Sequence, residues 1–140
     1  MALLNREGLL KKQALKIEKV ELEGEEFVYV RQMTGRERDA FEQSLMAEKK
    51  DKKGNVTYER SLGDFRAKLA VHTICDDKGI NQLEPEDYPI LSQNMSAARL
   101  ELIVNRSQEL NSISAQDKEN LIKNSDAAPS EDSISDSVES

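Results

Sequence analysis

Two side chains in this sequence carry chemistry used in catalysis, and they stand three residues apart: His72, the only histidine, and Cys75, the only cysteine. An imidazole can serve as a general base near neutral pH, and a thiol attacks once its pKa is depressed. Neither role finds support here. No serine, cysteine or acid is marked by a motif as the partner of His72, which shares a helical face with Phe65 and Leu69 and reads as a structural, hydrogen-bonded imidazole. Cys75 precedes Asp76-Asp77, where nothing local would lower its pKa, so it reads as a small buried hydrophobe. The acids from Asp76 to Glu84 imitate a calcium loop. With Gly79 as the sixth position, however, Ile74 and Lys78 occupy ligand positions one and five, and the pattern fails. No glycine-rich phosphate loop, nucleophile elbow or paired-histidine zinc helix occurs. The expectation is a protein that is not an enzyme, with no catalytic residue, no cofactor and no metal site.

Composition narrows the class further. A chain of 140 residues, 37% hydrophobic and 34% charged, suits one modest domain. One cysteine and one histidine exclude a disulfide framework or a zinc site within one chain, and favour a reducing cytosol. Met1 to Glu7 lacks a cationic stretch followed by a long apolar run, and no segment approaches the ~20 apolar residues that span a bilayer, so no membrane partner is expected. Of the formal charge of −7, most lies on Asp126, Glu131, Asp132, Asp136 and Glu139, leaving the rest of the chain near neutral. That balance, with no tryptophan and few other aromatics, excludes nucleic acid as an expected partner.

Several elements can be placed from pattern alone. Lys16 to Leu22 alternates like a strand with its phase broken at Lys19, which predicts a bulge. Glu23-Gly24-Glu25-Glu26 joins it to a strong strand, Phe27 to Met33, as a hairpin. That strand runs directly into a helix, because Thr34 and Glu37 form a capping box in which each side chain satisfies an N–H at the helix start. The helix carries Ala40, Phe41, Ser44, Leu45 and Ala47 inward and is expected to end in the lysine-rich stretch Lys49 to Asn55, a solvated loop between helices. Leu62, Phe65, Leu69, Ala70, Thr73 and Ile74 predict a further helix, stopped by the turn Asp76-Asp77-Lys78-Gly79. Pro85 opens a short helix that Pro89 limits, and Ser96 caps a longer one with Leu100, Ile103, Val104, Ser107 and Leu110 buried and Asn111 at its end.

The expected fold is α+β and predominantly helical, a small N-terminal β-hairpin packed on a cluster of three to four helices with a disordered acidic C-terminal tail. One domain spans 1–124, with the hairpin over about 15–33, the helical part over about 34–111 and a marginal helix over about 115–123. Residues 125–140 form the Ser-rich tail, too poor in apolar residues to offset the cost of ordering.

Two segments resemble the tail assembly chaperones of lambda-type and related siphophages. The first is Val28 to Phe41, which contains Val30-Arg31, Thr34-Gly35 and Glu37-Arg38-Asp39. The second runs from Val71 through Cys75-Asp76-Asp77-Lys78-Gly79, Asp87 and Leu91 to Glu109-Leu110-Asn111. Both are fold signals rather than chemical ones. The family pattern often has an aromatic beside Leu83, and this chain has none.

The resemblance implies a bacteriophage late protein of the host cytoplasm, absent from the mature virion, that binds and solubilises the tape measure protein and promotes tail tube polymerisation around it. The tail tube protein is the second implied partner, reached through a longer product of programmed frameshifting, and self-association is open. Such a protein needs exposed apolar surface, and either Phe27 with Tyr29 or Val28 with Val30 can supply it, since the pairs point to opposite faces of the strand. A structural virion subunit of the tail or head-tail connector is the alternative. An acidic DNA mimic is disfavoured, because its acids would have to lie on a folded surface rather than in a tail.

Overall fold

The computed structural model describes residues 1–60 and 63–113; the marginal helix and the acidic tail expected beyond residue 113 lie outside the described residues. The described chain is a small α+β fold of five α-helices and two small sheets.

A short helix α1 (Arg6–Leu10), capped by Asn5, precedes the hairpin of β1 (Ile17–Glu21) and β2 (Phe27–Arg31). The ladder pairs Ile17 with Arg31 and Glu21 with Phe27 without an extra residue, so the predicted bulge is absent. The broken phase has another cause: Ile17 lies on the face opposite Val20 and has its own cover, with its Cδ1 close to Gly79.

The helix start is as expected, although β2 ends at Arg31 rather than at Met33. Thr34 caps α2 (Gly35–Ser44), accepting from the Glu37 N–H at 3.2 Å while Glu37 Oε1 accepts from the Thr34 N–H at 2.9 Å. Beyond Leu45 the sequence expectation fails. Instead of a helix running into a solvated loop, β3 (Met46–Lys50) pairs antiparallel with β4 (Val56–Arg60) as a second hairpin. Its turn is closed by Asp51, whose carboxylate accepts from the backbone N–H groups of Lys53 and Asn55 at 2.8 Å each, while Gly54 takes a left-handed φ of 85°. Asx bonding and a glycine at positive φ suffice to reverse the chain, and Val56, Thr57 and Tyr58 supply the strand-forming side.

Helix α3 (Phe65–Thr73) passes straight into β5 (Ile74–Cys75), which adds to β2 and makes a three-stranded antiparallel sheet in the order β1-β2-β5. Two short elements follow, a 3₁₀ turn at Pro85–Asp87 and α4 (Tyr88–Asn94), and then α5 (Ala97–Leu110), capped by Ser96. The five buried residues of α5 are those its 3.6-residue period predicts: Leu100, Ile103, Val104, Ser107 and Leu110.

The core has two parts that share helices α3 and α5. Val20, Val30 and Ile74 of the sheet pack with Ala70, Leu100, Ile103 and Leu110. Phe41 and Leu45 pack with Phe65, Leu69, Val104 and Ile113. Between α3 and α5, the hydroxyls of Thr73 and Ser107 bond each other at 2.9 Å and also reach backbone carbonyls of their own helices, so both buried polar groups are satisfied.

Candidate functional site

The His72 ring is buried against Phe41, and its Nδ1 is 2.8 Å from the Lys68 carbonyl oxygen. A carbonyl only accepts, so Nδ1 carries the proton and the ring is tied down within its own helix. Cys75 is fully buried in β5, and burial pushes its thiol pKa up, with the Arg31 charge opposing. That shift is the reverse of nucleophile activation. Asp76 is a turn residue: its carboxylate accepts from the N–H groups of Lys78 at 2.8 Å and Ile80 at 2.9 Å, bonds that lower its pKa. Among the described residues, no group of three or more His, Cys, Asp or Glu is placed to hold a metal, and no helix is long and apolar enough to cross a membrane.

The sequence did not reveal a tightly bonded polar cluster that forms around Arg31. This guanidinium lies at the end of β2 and is almost wholly buried. It donates to Glu37 through both terminal nitrogens, NH1 to Oε1 at 2.8 Å and NH2 to Oε2 at 2.6 Å, and to Asn81 Oδ1 at 2.8 Å. NH1 also donates to the Gln32 carbonyl at 2.8 Å, whereas the buried Nε has no partner among the described atoms. Hydrogen bonding from Arg31 pulls the Glu37 carboxyl down to about 2, helped by the Thr34 N–H. Asn111 closes the opposite side. Its Oδ1 accepts from the Met33 N–H at 2.7 Å, and its Nδ2 donates to the carbonyls of Arg31 at 3.3 Å and Ser107 at 2.9 Å. A bidentate guanidinium and a two-faced amide thus lock β2, α2, the loop after β5 and the end of α5 into one clasp. Its local signals, the capping box at Glu37, the helix end at Asn111 and a charged residue ending an apolar strand, do not show that the three meet.

The four residues expected to bind a partner divide by strand face. Val30 is fully buried and Val28 packs on the same cluster, so that pair belongs to the core and is not available for docking. Phe27 and Tyr29 point the other way. Their rings meet edge to face at 5.5 Å, Lys19 Nζ lies 4.4 Å from the Phe27 ring centre, and Phe27 remains 48% exposed. The loop after β5 covers this face at its Arg31 end, and the Phe27 end is open.

A second apolar surface is marked by no sequence motif. Leu83, Ile90, Leu91 and Met95 line a groove of about 510 Å³ beside Glu23, Asp87 and Arg99, at the N-terminal end of α5. Arg99 crosses its rim, donating to Glu23 Oε1 at 2.9 Å and also to Glu26. Ile90 is 63% exposed over it. Its signal was the run of apolar residues on a short helix held between Pro85 and Met95.

No protein-family model matches this sequence, and no curated protein or solved structure matches it.

Proposed function

We propose that this chain is a tail assembly chaperone of the siphophage type, which binds the tape measure protein in the host cytoplasm, keeps it soluble while tube subunits polymerise around it, and is left out of the mature virion. The supporting observation is that the two segments carrying the sequence resemblance are the two that meet in the clasp. Val30-Arg31, Thr34 and Glu37 come from the first; Gly79 and Asn111 come from the second, with Asn81 just after the Gly79 turn. The resembling residues therefore act as one structural unit. The likeness concerns how the chain folds, while partner binding is left to other surfaces.

A chaperone of this kind requires no reaction, only an apolar face that takes up helical segments of a partner along its length. The open Phe27–Tyr29 face, with Lys19 beside it, has that character. The tail tube protein is the expected second partner, through a frameshifted longer product. Co-expression with a tape measure protein tests the reading: the chain should co-purify with it, raise its soluble fraction and be absent from purified particles by mass spectrometry. Phe27→Glu should reduce that solubilisation without lowering the melting temperature, because Phe27 is half exposed. A stoichiometric presence in virions would replace this reading with that of a structural tail or connector subunit.

A further inference from the structure

The described chain ends beside a groove that suits the residues after it. Lys11, Lys12 and Arg38 line this groove of about 740 Å³ with Leu9, Met33 and Leu110, and no carboxylate is among its lining residues. Arg38 already shares its charge with Glu42 at 3.0 Å, whereas Lys11 and Lys12 are exposed. Asn111 and Ser112 also line it, so the chain passes the groove just before Ile113 enters the core with Phe41 and Leu45. Beyond lie residues 125–140, which hold Asp126, Glu131, Asp132, Asp136 and Glu139 and no base. Residues 114–125 separate Ile113 from Asp126, a stretch that spans about 18 Å as a helix and about 20 Å on average as a coil. Either reach brings the acids to the groove. The other concentration of cations suits them less, because Lys49, Lys50, Lys52 and Lys53 of the β3–β4 ribbon are interspersed with Glu48, Asp51 and Glu59.

We infer that residues 125–140 dock on the Lys11–Lys12–Arg38 groove of their own chain, held by charge, with Ile134 and Val138 meeting Leu9, Met33 and Leu110. Exposed ion pairs are too weak to hold a separate peptide firmly, but tethering raises the effective concentration to the order of millimolar, where weak contacts suffice. The segment thereby acts as a built-in competitor: any other acidic segment must displace it to reach the groove. This inference stands independently of the chaperone reading.

A nitroxide attached to Ser135→Cys in the full chain tests it, since Cys75 is fully buried and stays out of reach of the reagent. At low salt the amide signals of Lys12, Gln13, Gly35 and Ser112 should broaden more than those of Lys50 and Lys53 at the ribbon tip, and they should sharpen again once the nitroxide is reduced. Salt near ~1 M, where the screening length falls to about 3 Å, should restore them too. So should Lys11→Glu combined with Lys12→Glu, or replacement of the five acids by their amides. Lys11 and Lys12 are exposed, so those variants should fold, and circular dichroism verifies that they do. Mixing spin-labelled chain with isotopically enriched chain that lacks the label separates contact within a chain from contact between chains. Docking within one chain leaves the mixture sharp. Equal broadening in that mixture would overturn the inference, as would groove signals that stay sharp at low salt, a stronger effect at the ribbon than at the groove, or broadening that survives either set of charge changes.

Discussion

Asp51-Lys52-Lys53-Gly54-Asn55 and Asp76-Asp77-Lys78-Gly79-Ile80 make nearly the same turn. In each, the aspartate carboxylate accepts from the N–H groups two and four residues on, its carbonyl accepts from the glycine N–H, and the glycine takes φ of 85°. Their surroundings differ. The second turn lies over the sheet, with Gly79 close to Ile17 and to the Arg31 side chain, and Asn81 just beyond it completes the clasp. The first sits at the tip of a two-stranded ribbon whose β3 strand is exposed except at Met46, and a Cβ at Gly54 would meet nothing. Equal local chemistry thus yields one turn bound into the fold and one supported only by its own ladder. A two-stranded ribbon of that kind is marginal by itself.

The contrast is easiest to break at Arg31. Arg31→Ala should cost about 3–5 kcal/mol in denaturant unfolding, because it strands the Glu37 carboxylate and frees the Asn81 loop in a part-buried site. A cost under about 1 kcal/mol would mean that the second turn is no better anchored than the first. Gly79→Ala should destabilise the whole domain by about 1–2 kcal/mol through left-handed strain. Gly54→Ala carries the same strain, yet it should appear as faster amide exchange in β3 and β4, with global stability moved by less than about 0.5 kcal/mol. Thr34→Ala should cost about 1 kcal/mol, since it removes the hydroxyl that accepts from the Glu37 N–H at the start of α2, while the backbone N–H of residue 34 still binds the Glu37 carboxylate.

Acid sharpens the same comparison. Glu37 has its carboxyl lowered to about 2 from the usual 4.5, so its contribution is complete above about pH 4.5 and is lost as pH falls from there toward 2. Glu37→Gln should flatten that part of the stability curve, and a wild-type curve already flat there would show that the clasp does not hold in solution. The smallest effect belongs to the ribbon. Lys49→Ala removes an exposed ion pair with Glu59 and should change stability by less than about 0.5 kcal/mol.

What was legible in the sequence had local causes. The capping box at Thr34 and Glu37, the buried stripe of α5 and the Ser96 and Asn111 caps all follow from residues within a few positions of one another. The hairpin of β1 and β2 is legible as well, though the phase break at Lys19 imitates a bulge because the loop that covers Ile17 comes some 60 residues later. The β3–β4 ribbon was hidden because Met46-Ala47-Glu48-Lys49-Lys50 is made mostly of good helix formers and becomes a strand only by pairing with Val56-Thr57-Tyr58. At the candidate surfaces, period 2 separated Phe27 and Tyr29 from Val28 and Val30 but could not tell which pair the helices would cover. The groove depends on how α4 and α5 meet, and no spacing encodes that.

The clasp also imposes a schedule on synthesis. Asn111 follows Arg31 by 80 residues, and at about 5–20 residues per second a ribosome needs on the order of four to sixteen seconds to deliver it. Hairpins and helices form in microseconds, so β1, β2 and α2 are free to form and melt many times before α5 arrives to cover Val20, Val28 and Val30. For those seconds the nascent chain exposes the side of the sheet that the finished protein conceals, which makes the interval before residue 111 emerges the period in which this protein itself most needs protection from aggregation.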